Sequence, residues 1–143
     1  MMRNYRVTVG LIAMAFTIGV LVGHGPQLRG QAKNRVLEIR TYTTHEGRLD
    51  ALVKRMREGE AKVFDKVGMK GVGFFVATEA PKSANTFVYI LAHESRERAT
   101  EGWGKFRDDP EWKQIRQTSE EAGPIVAKVE SIFVNPLDFS PLK

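Results

Sequence analysis

The strongest constraint in this sequence is a hydrophobic period that changes in a fixed order between residues 36 and 134. Residues 36–43 alternate, with Leu37, Ile39 and Thr41 on one side and Glu38, Arg40 and Tyr42 on the other, as in a strand. After Gly47, the apolar residues Leu49, Leu52, Val53, Met56, Val63, Phe64 and Val67 form one helical stripe, which Gly68 ends. Residues 71–78 and 86–93 read as two strands joined by a turn that contains Pro81, Ser83 and Asn85. A second helical stretch starts at Ser95. Asp109-Pro110-Glu111 restarts it with a capping aspartate, a proline at the first helical position and an acid in the first turn, and Gly123-Pro124 stops it after Ala122. Residues 125–134 form the last strand. This strand–helix–strand–strand–helix–strand order is a ferredoxin-like α+β layer, a sheet with its helices on one face.

The helices cover only one face of such a sheet, so the composition of the other face matters. If the aliphatic residues Leu37, Ile39, Val88, Ile90 and Ala92 turn toward the helices, the uncovered face receives Glu38, Arg40 and Tyr42 from the first strand. From the third strand it receives Phe87, Tyr89, Leu91 and His93, and from the fourth the charged pair Lys128 and Glu130. Exposed aromatics of this size form a patch that monomers rarely tolerate, and a two-fold mate is the commonest way to bury one. A homodimer is therefore expected.

Composition narrows the function classes. The chain has 143 residues, room for one domain, and its net charge of +5 raises the question of nucleic acid. Residues 1–32 hold Arg3, Arg6 and Arg29 and no acid, which leaves a net charge of only +2 on the remainder. The folded part lacks the basic stripe interleaved with aromatics of a nucleic-acid module, so no nucleic-acid partner is expected. No cysteine is present, which excludes disulfides, thiolate metal sites and a cysteine nucleophile.

Two arginines precede the uncharged run 7–22, which Gly23, His24, Gly25 and Pro26 interrupt, the pattern of a secretory signal. Residues 1–32 are thus expected to be a signal peptide or an N-terminal membrane anchor. The small residues of Gly30-Gln31-Ala32 would make Lys33 the first mature residue. The domain is then 33–143, exported to the periplasm or secreted. The alternative is anchoring through residues 7–22, the chain's one expected contact with a membrane.

Several segments carry a family pattern. Leu37-Glu38-Ile39-Arg40-Thr41-Tyr42, Val67-Gly68-Met69 with Val72-Gly73-Phe74, Trp103 with Phe106-Arg107-Asp108-Asp109-Pro110-Glu111-Trp112, and Lys128-Val129-Glu130-Ser131 through Pro136 resemble the NIPSNAP family, in order, over residues 36–141. The resemblance implies a dimeric α+β barrel in which two ferredoxin-like sheets pack face to face. Relatives of that fold include cofactor-free monooxygenases, haem enzymes and stress-related binding modules, so fold does not decide function. No established NIPSNAP reaction or catalytic motif can be carried over, and the link of animal members to mitochondria and protein–protein contacts says little about an exported homologue. Gly102 and Gly104 depart from a good helix, each weakening it by about 1 kcal/mol, so a turn or flap is expected around Trp103.

Glu38, Arg40, Tyr42, Tyr89 and His93 are the candidate ligand-binding residues, expected to line one cavity between the sheet and its mate. There an arginine could clamp a carboxylate or phosphate, and a tyrosine or histidine could move a proton. The structural alternative is that Glu38 and Arg40 pair as ions while the tyrosines fill an interface. Trp103, Phe106 and Trp112 at helical spacing read as core. Asp108, Asp109 and Glu111 resemble a metal cluster, but capping already accounts for Asp109. Of the three histidines, His24 falls in the leader, and the remaining two, His45 and His93, sit on unrelated elements and make no zinc set. A haem would need an axial ligand, for which His93 is the sole candidate. No cofactor or metal is expected. The leading reading is an exported homodimer that binds a small molecule or a protein. The alternative is a small cofactor-free monooxygenase-like enzyme that uses the inter-sheet cavity.

Overall fold

The computed structural model describes residues 35–142. The leader, and every expectation placed on it, lies outside these. In chain order the elements are β1 (Val36–Thr44), α1 (Leu49–Arg55), a π-helical turn (Met56–Glu60), α2 (Ala61–Lys66), β2 (Lys70–Val76), β3 (Thr86–His93), α3 (Arg96–Asp108), α4 (Pro110–Ser119) and β4 (Val126–Val134). The sheet runs β2-β3-β1-β4 with antiparallel neighbours throughout. The expected order and fold class hold.

Local chemistry sets the boundaries. Ser95 caps α3 by accepting from the Arg98 amide at 3.2 Å. Asp109 caps α4 by accepting from the amides of Glu111 and Trp112 at 2.9 and 3.2 Å, with Pro110 inside the first turn. Lys66 Nζ lies 2.8 Å from the same aspartate, which ties the end of α2 to the start of α4. The Lys66 ammonium pairs with Asp109 and with Glu111 at 3.2 Å, so these acids are occupied in capping and ion pairing. Helix α4 ends at Ser119, earlier than Ala122, and the turn that follows closes on Gly123 at φ +104°.

Residues 102–104 form no flap; α3 is continuous through Gly102, Trp103 and Gly104. Gly102 is there for space. A Cβ at that position would stand 2.7 Å from Met69 Cγ and 3.0 Å from its sulfur, so the missing side chain lets α3 settle onto the buried Met69.

The expected faces are reversed. The core joins Leu52, Met56, Val63, Phe64 and Phe106 of the helical layer to Tyr42, Phe87, Tyr89 and Leu91 of the sheet. The side chains of 38, 40 and 42 on β1 and of 87, 89, 91 and 93 on β3 therefore point at the helices, not away from them. The open face carries Ile39 between Ile90 and Ile132 in one row, and Thr41 between Val88 and Glu130 in the next. Phe75 extends this face from β2, opposite Val88. The expected position of Lys128 and Glu130 is correct: they lie in the rows of Thr43 and Thr41 and pair at 2.9 Å.

Removing the cap of α4 tests how these elements are joined. Asp109→Ala should destabilise the domain by about 1–2 kcal/mol. The urea midpoint should fall at an unchanged slope, because the loss is of stability rather than of compactness.

Candidate functional site

The five expected site residues do come together, but within one chain and beneath the helices. Glu38 and Arg40 are adjacent on the inner face of β1. Tyr89 faces Arg40 across the β1–β3 ladder and reaches Tyr42 diagonally, while His93 stands beyond Leu91, the residue paired with Glu38. The cavity between sheet and mate that these residues were expected to line is therefore not theirs. The physical reason is the helical layer itself: Phe64, Trp103 and Phe106 present aromatic surface and an indole N–H, which call for aromatic and acceptor partners on the sheet.

Glu38 is the centre. Its carboxylate is only 2% exposed and accepts four hydrogen bonds, or three if His93 takes the acceptor tautomer. Arg40 Nη1 and Ser131 Oγ donate to Oε1 at 2.8 and 2.7 Å; Trp103 Nε1 donates to Oε2 at 2.7 Å, with His93 Nε2 3.0 Å from the same oxygen. Burial alone would raise its pKa, but the contacts from His93, Trp103, Arg40 and Ser131 outweigh it and hold the carboxyl at about 2, against an ordinary 4.5. Trp103 and Ser131 belong to this site and were not among the expected residues. Trp103 read as core, and a serine on a strand carries no signal of its own.

Arg40 stacks on the Trp103 ring, its guanidinium carbon 4.1 Å from the centroid. Its Nε is buried without a hydrogen-bond partner. Tyr89 donates to the Tyr42 hydroxyl at 2.7 Å, and burial raises the pKa of both phenols. Phe64 and Phe74 stack on Tyr89 with centroids 5.6 and 6.0 Å away.

The polar network continues through residues that no sequence motif marks. The π-helical turn places Glu60 wholly inside, 2.8 Å from Arg55 Nε, and Arg55 Nη1 reaches Glu120 at 3.1 Å. Burial pushes the Glu60 carboxyl up to about 6 despite the opposing pull of Arg55. A π-turn is a frequent mark of a functional segment. In the sequence it is indistinguishable from ordinary helix, because one extra residue in a turn leaves the apolar stripe almost intact.

The clefts lie elsewhere. One of about 460 Å3 runs between α1, the π-turn and α4, with Arg55 in its wall. Another of about 420 Å3 lies between the π-turn and β2, lined by Met56, Phe74, Phe75 and Phe87. Neither is lined by Glu38, Arg40, Tyr42, Tyr89 or His93. As arranged here, the five form a packed ion-and-phenol cluster.

Comparison with known proteins agrees with this architecture. The sequence profile of the NIPSNAP family matches residues 37–141. A NIPSNAP family protein of unknown function from Agrobacterium tumefaciens is 25% identical, with a TM-score of 0.66 over 78% of this chain and 96% of its own. A NIPSNAP-like domain protein from Burkholderia xenovorans superposes equally well, at 0.66, with 17% identity over 76% of this chain and 90% of its own. The cofactor-independent oxygenase SnoaB of Streptomyces nogalater shares the fold at a TM-score of 0.50 and 16% identity, over 76% and 98% of the two chains. A comparison with curated proteins gave no match.

Two buried carboxyls with opposite shifts make stability depend on pH in opposite senses. Glu38 has a depressed folded-state pKa, so its contribution is present above about pH 4.5 and lost as pH falls toward 2, about 3 kcal/mol in all. Glu60 has a raised one, so its contribution declines as pH rises from 4.5 to about 6, by about 2 kcal/mol. Urea unfolding across pH 3–7 should lose the falling component between 4.5 and 6 in Glu60→Gln, and the acid-side rise in Glu38→Gln.

Proposed function

This chain belongs to the NIPSNAP family, and we propose that it serves outside the cytoplasm as a homodimeric binding module rather than as an acid–base enzyme. The observation that carries the dimer is the open face. Ile132 and Phe75 are 59% and 52% exposed; Ile132 shares a row with Ile39 and Ile90, and Phe75 lies opposite Val88 in the next row, which ends in Thr41 and Glu130. That is a continuous apolar surface with no helix of the described residues over it, and water is a poor neighbour for it.

A two-fold mate suits this face better than an unrelated partner. Lys128 and Glu130 carry opposite signs at one edge and pair with each other, and Lys70 lies at the opposite edge in the row of Ala92, so the face carries little net charge against a copy of itself. The covered face supports the non-catalytic half of the reading. A carboxylate held at about 2 by its polar neighbours is a weak base, and the arginine beside it is already neutralised. Export rests on the basic start and apolar run of residues 1–22, with cleavage after Ala32.

Among the described residues, the buried apolar core runs from Leu37 to Ile125, so a fragment of residues 33–143 retains all of it and suits the test. In sedimentation at micromolar concentration it should be a dimer. Ile132→Glu should weaken association by about a hundredfold or more, because the mate would bury an unpaired charge, while the circular dichroism is unchanged. A wild-type fragment that stays monomeric at high concentration overturns the reading. Intact mass of the exported protein should begin at Lys33; a retained residue 1–32 segment would point to anchoring instead.

A further inference from the structure

The cleft between α1, the π-turn and α4 has a feature that the packed cluster lacks: a buried cation whose second partner can leave. We propose that this cleft binds a small monocarboxylate with an apolar body, seated on Arg55 in place of Glu120. The inference deepens the binding-module reading and rests on it for the idea of a ligand, though not for the dimer.

Arg55 is the anchor. It is among the residues that line the cleft, with its side chain 3% exposed, and its guanidinium lies 5.2 Å from the Trp112 ring, which steadies it. Glu60 holds Nε at 2.8 Å and is itself fully buried, so that bond is fixed. Glu120 holds Nη1 more loosely, at 3.1 Å, and is 22% exposed. It lies beyond the end of α4, in the turn that closes on Gly123, and its other oxygen is already 3.2 Å from the exposed Arg116. A carboxylate that enters can therefore displace Glu120 without stranding it. Glu120 would turn to Arg116, and the guanidinium would keep two carboxylate partners.

The rest of the cleft defines the ligand. Ala51 and Ile115 supply an apolar wall, and Ile115 packs onto bare backbone because Gly59 has no side chain; a Cβ there would meet Ile115 Cδ1 at 2.5 Å. A volume of about 460 Å3 is within the range of small-molecule sites. Lys54 and Glu58 at the rim cancel each other, which leaves no surplus positive charge for a dianion or phosphate. One negative charge and an apolar body are what the groups on the wall can satisfy.

The test is calorimetric titration of the 33–143 fragment with octanoate, and with octylammonium as a probe of equal apolar body and opposite charge. Octanoate should bind saturably and octylammonium at least tenfold more weakly. Glu120→Gln should tighten octanoate about fivefold to tenfold by removing the competing carboxylate. Ile115→Trp should weaken it at least tenfold by filling the cleft, with folding checked by thermal melting. No saturable binding, equal binding of the two probes, or unchanged or weaker octanoate binding by Glu120→Gln overturns the proposal. Sedimentation of the same samples separates the two readings. A dimer that ignores octanoate removes only the ligand site, and a monomer that binds it removes only the dimer.

Discussion

The arrangement depends on a single carboxylate that joins the sheet to the helical layer. Glu38 sits on a central strand, and its oxygens meet Arg40 on the same strand, His93 on β3, Ser131 on β4 and Trp103 on α3. Three strands and one helix thus converge on one ion. A buried carboxylate without partners would cost many kcal/mol, so the fold is committed to delivering these groups together. The Trp103 bond ties α3 to this carboxylate. The indole must lie flat enough for Arg40 to stack on it and still aim its N–H at Glu38, which fixes both the rotation of α3 and its height above the sheet. Gly102, one residue earlier, removes the Cβ that would hold the helix off Met69.

From that point the interior is graded rather than uniformly apolar. Tyr42 and Tyr89 exchange a hydrogen bond in the middle, with rings packed among Phe64, Phe74 and Phe87, so each phenol buries its body and pairs its tip. Beyond them lie Glu60 of the π-turn and Arg55 at the end of α1. The result is a line of polar groups from His93 to Glu120 that crosses the domain under the helices, fixed at the Glu38 end and looser at the Glu120 end.

The order of elements, the caps and most boundaries were legible in the sequence because short-range chemistry decides them. The Asp109-Pro110-Glu111 start and the stop at Gly68 are local signals and need no tertiary information. The choice of face was not legible. Alternation in β1 separates Leu37, Ile39 and Thr41 from Glu38, Arg40 and Tyr42 correctly, but it does not say which set meets the helices. The usual rule sends aliphatics inward and ions outward. It failed because the helical layer offers an indole donor and aromatic rings, to which an acceptor and two phenols are better matched than isoleucine. The five-residue cluster was therefore identified as a group and assigned to the wrong side. Trp103 and Ser131 were missed because their roles come from contacts with Glu38 at sequence separations of 65 and 93; Arg55 and Glu60, only five residues apart, were missed because a buried pair on a helical stripe looks like ordinary surface charge in the sequence.

The reversal alters what each face of the sheet can do. With the ions turned inward and paired with one another, the open face is left to the branched aliphatics and Phe75, a surface with shape and little charge. Such a surface favours association by area and fit, and specificity must come from its borders, where Lys128 and Glu130 lie. A reading that placed Arg40 at the interface would have made dimerisation depend on an ion pair and hence on salt. With Arg40 held beneath the helices by Glu38 and Trp103, the proposed association through the open face would be a hydrophobic event that salt should leave largely unchanged. The ionic cluster and the apolar face are then separate devices on opposite sides of one sheet, and a charge change in the first reaches the second only through the stability of the strands they share.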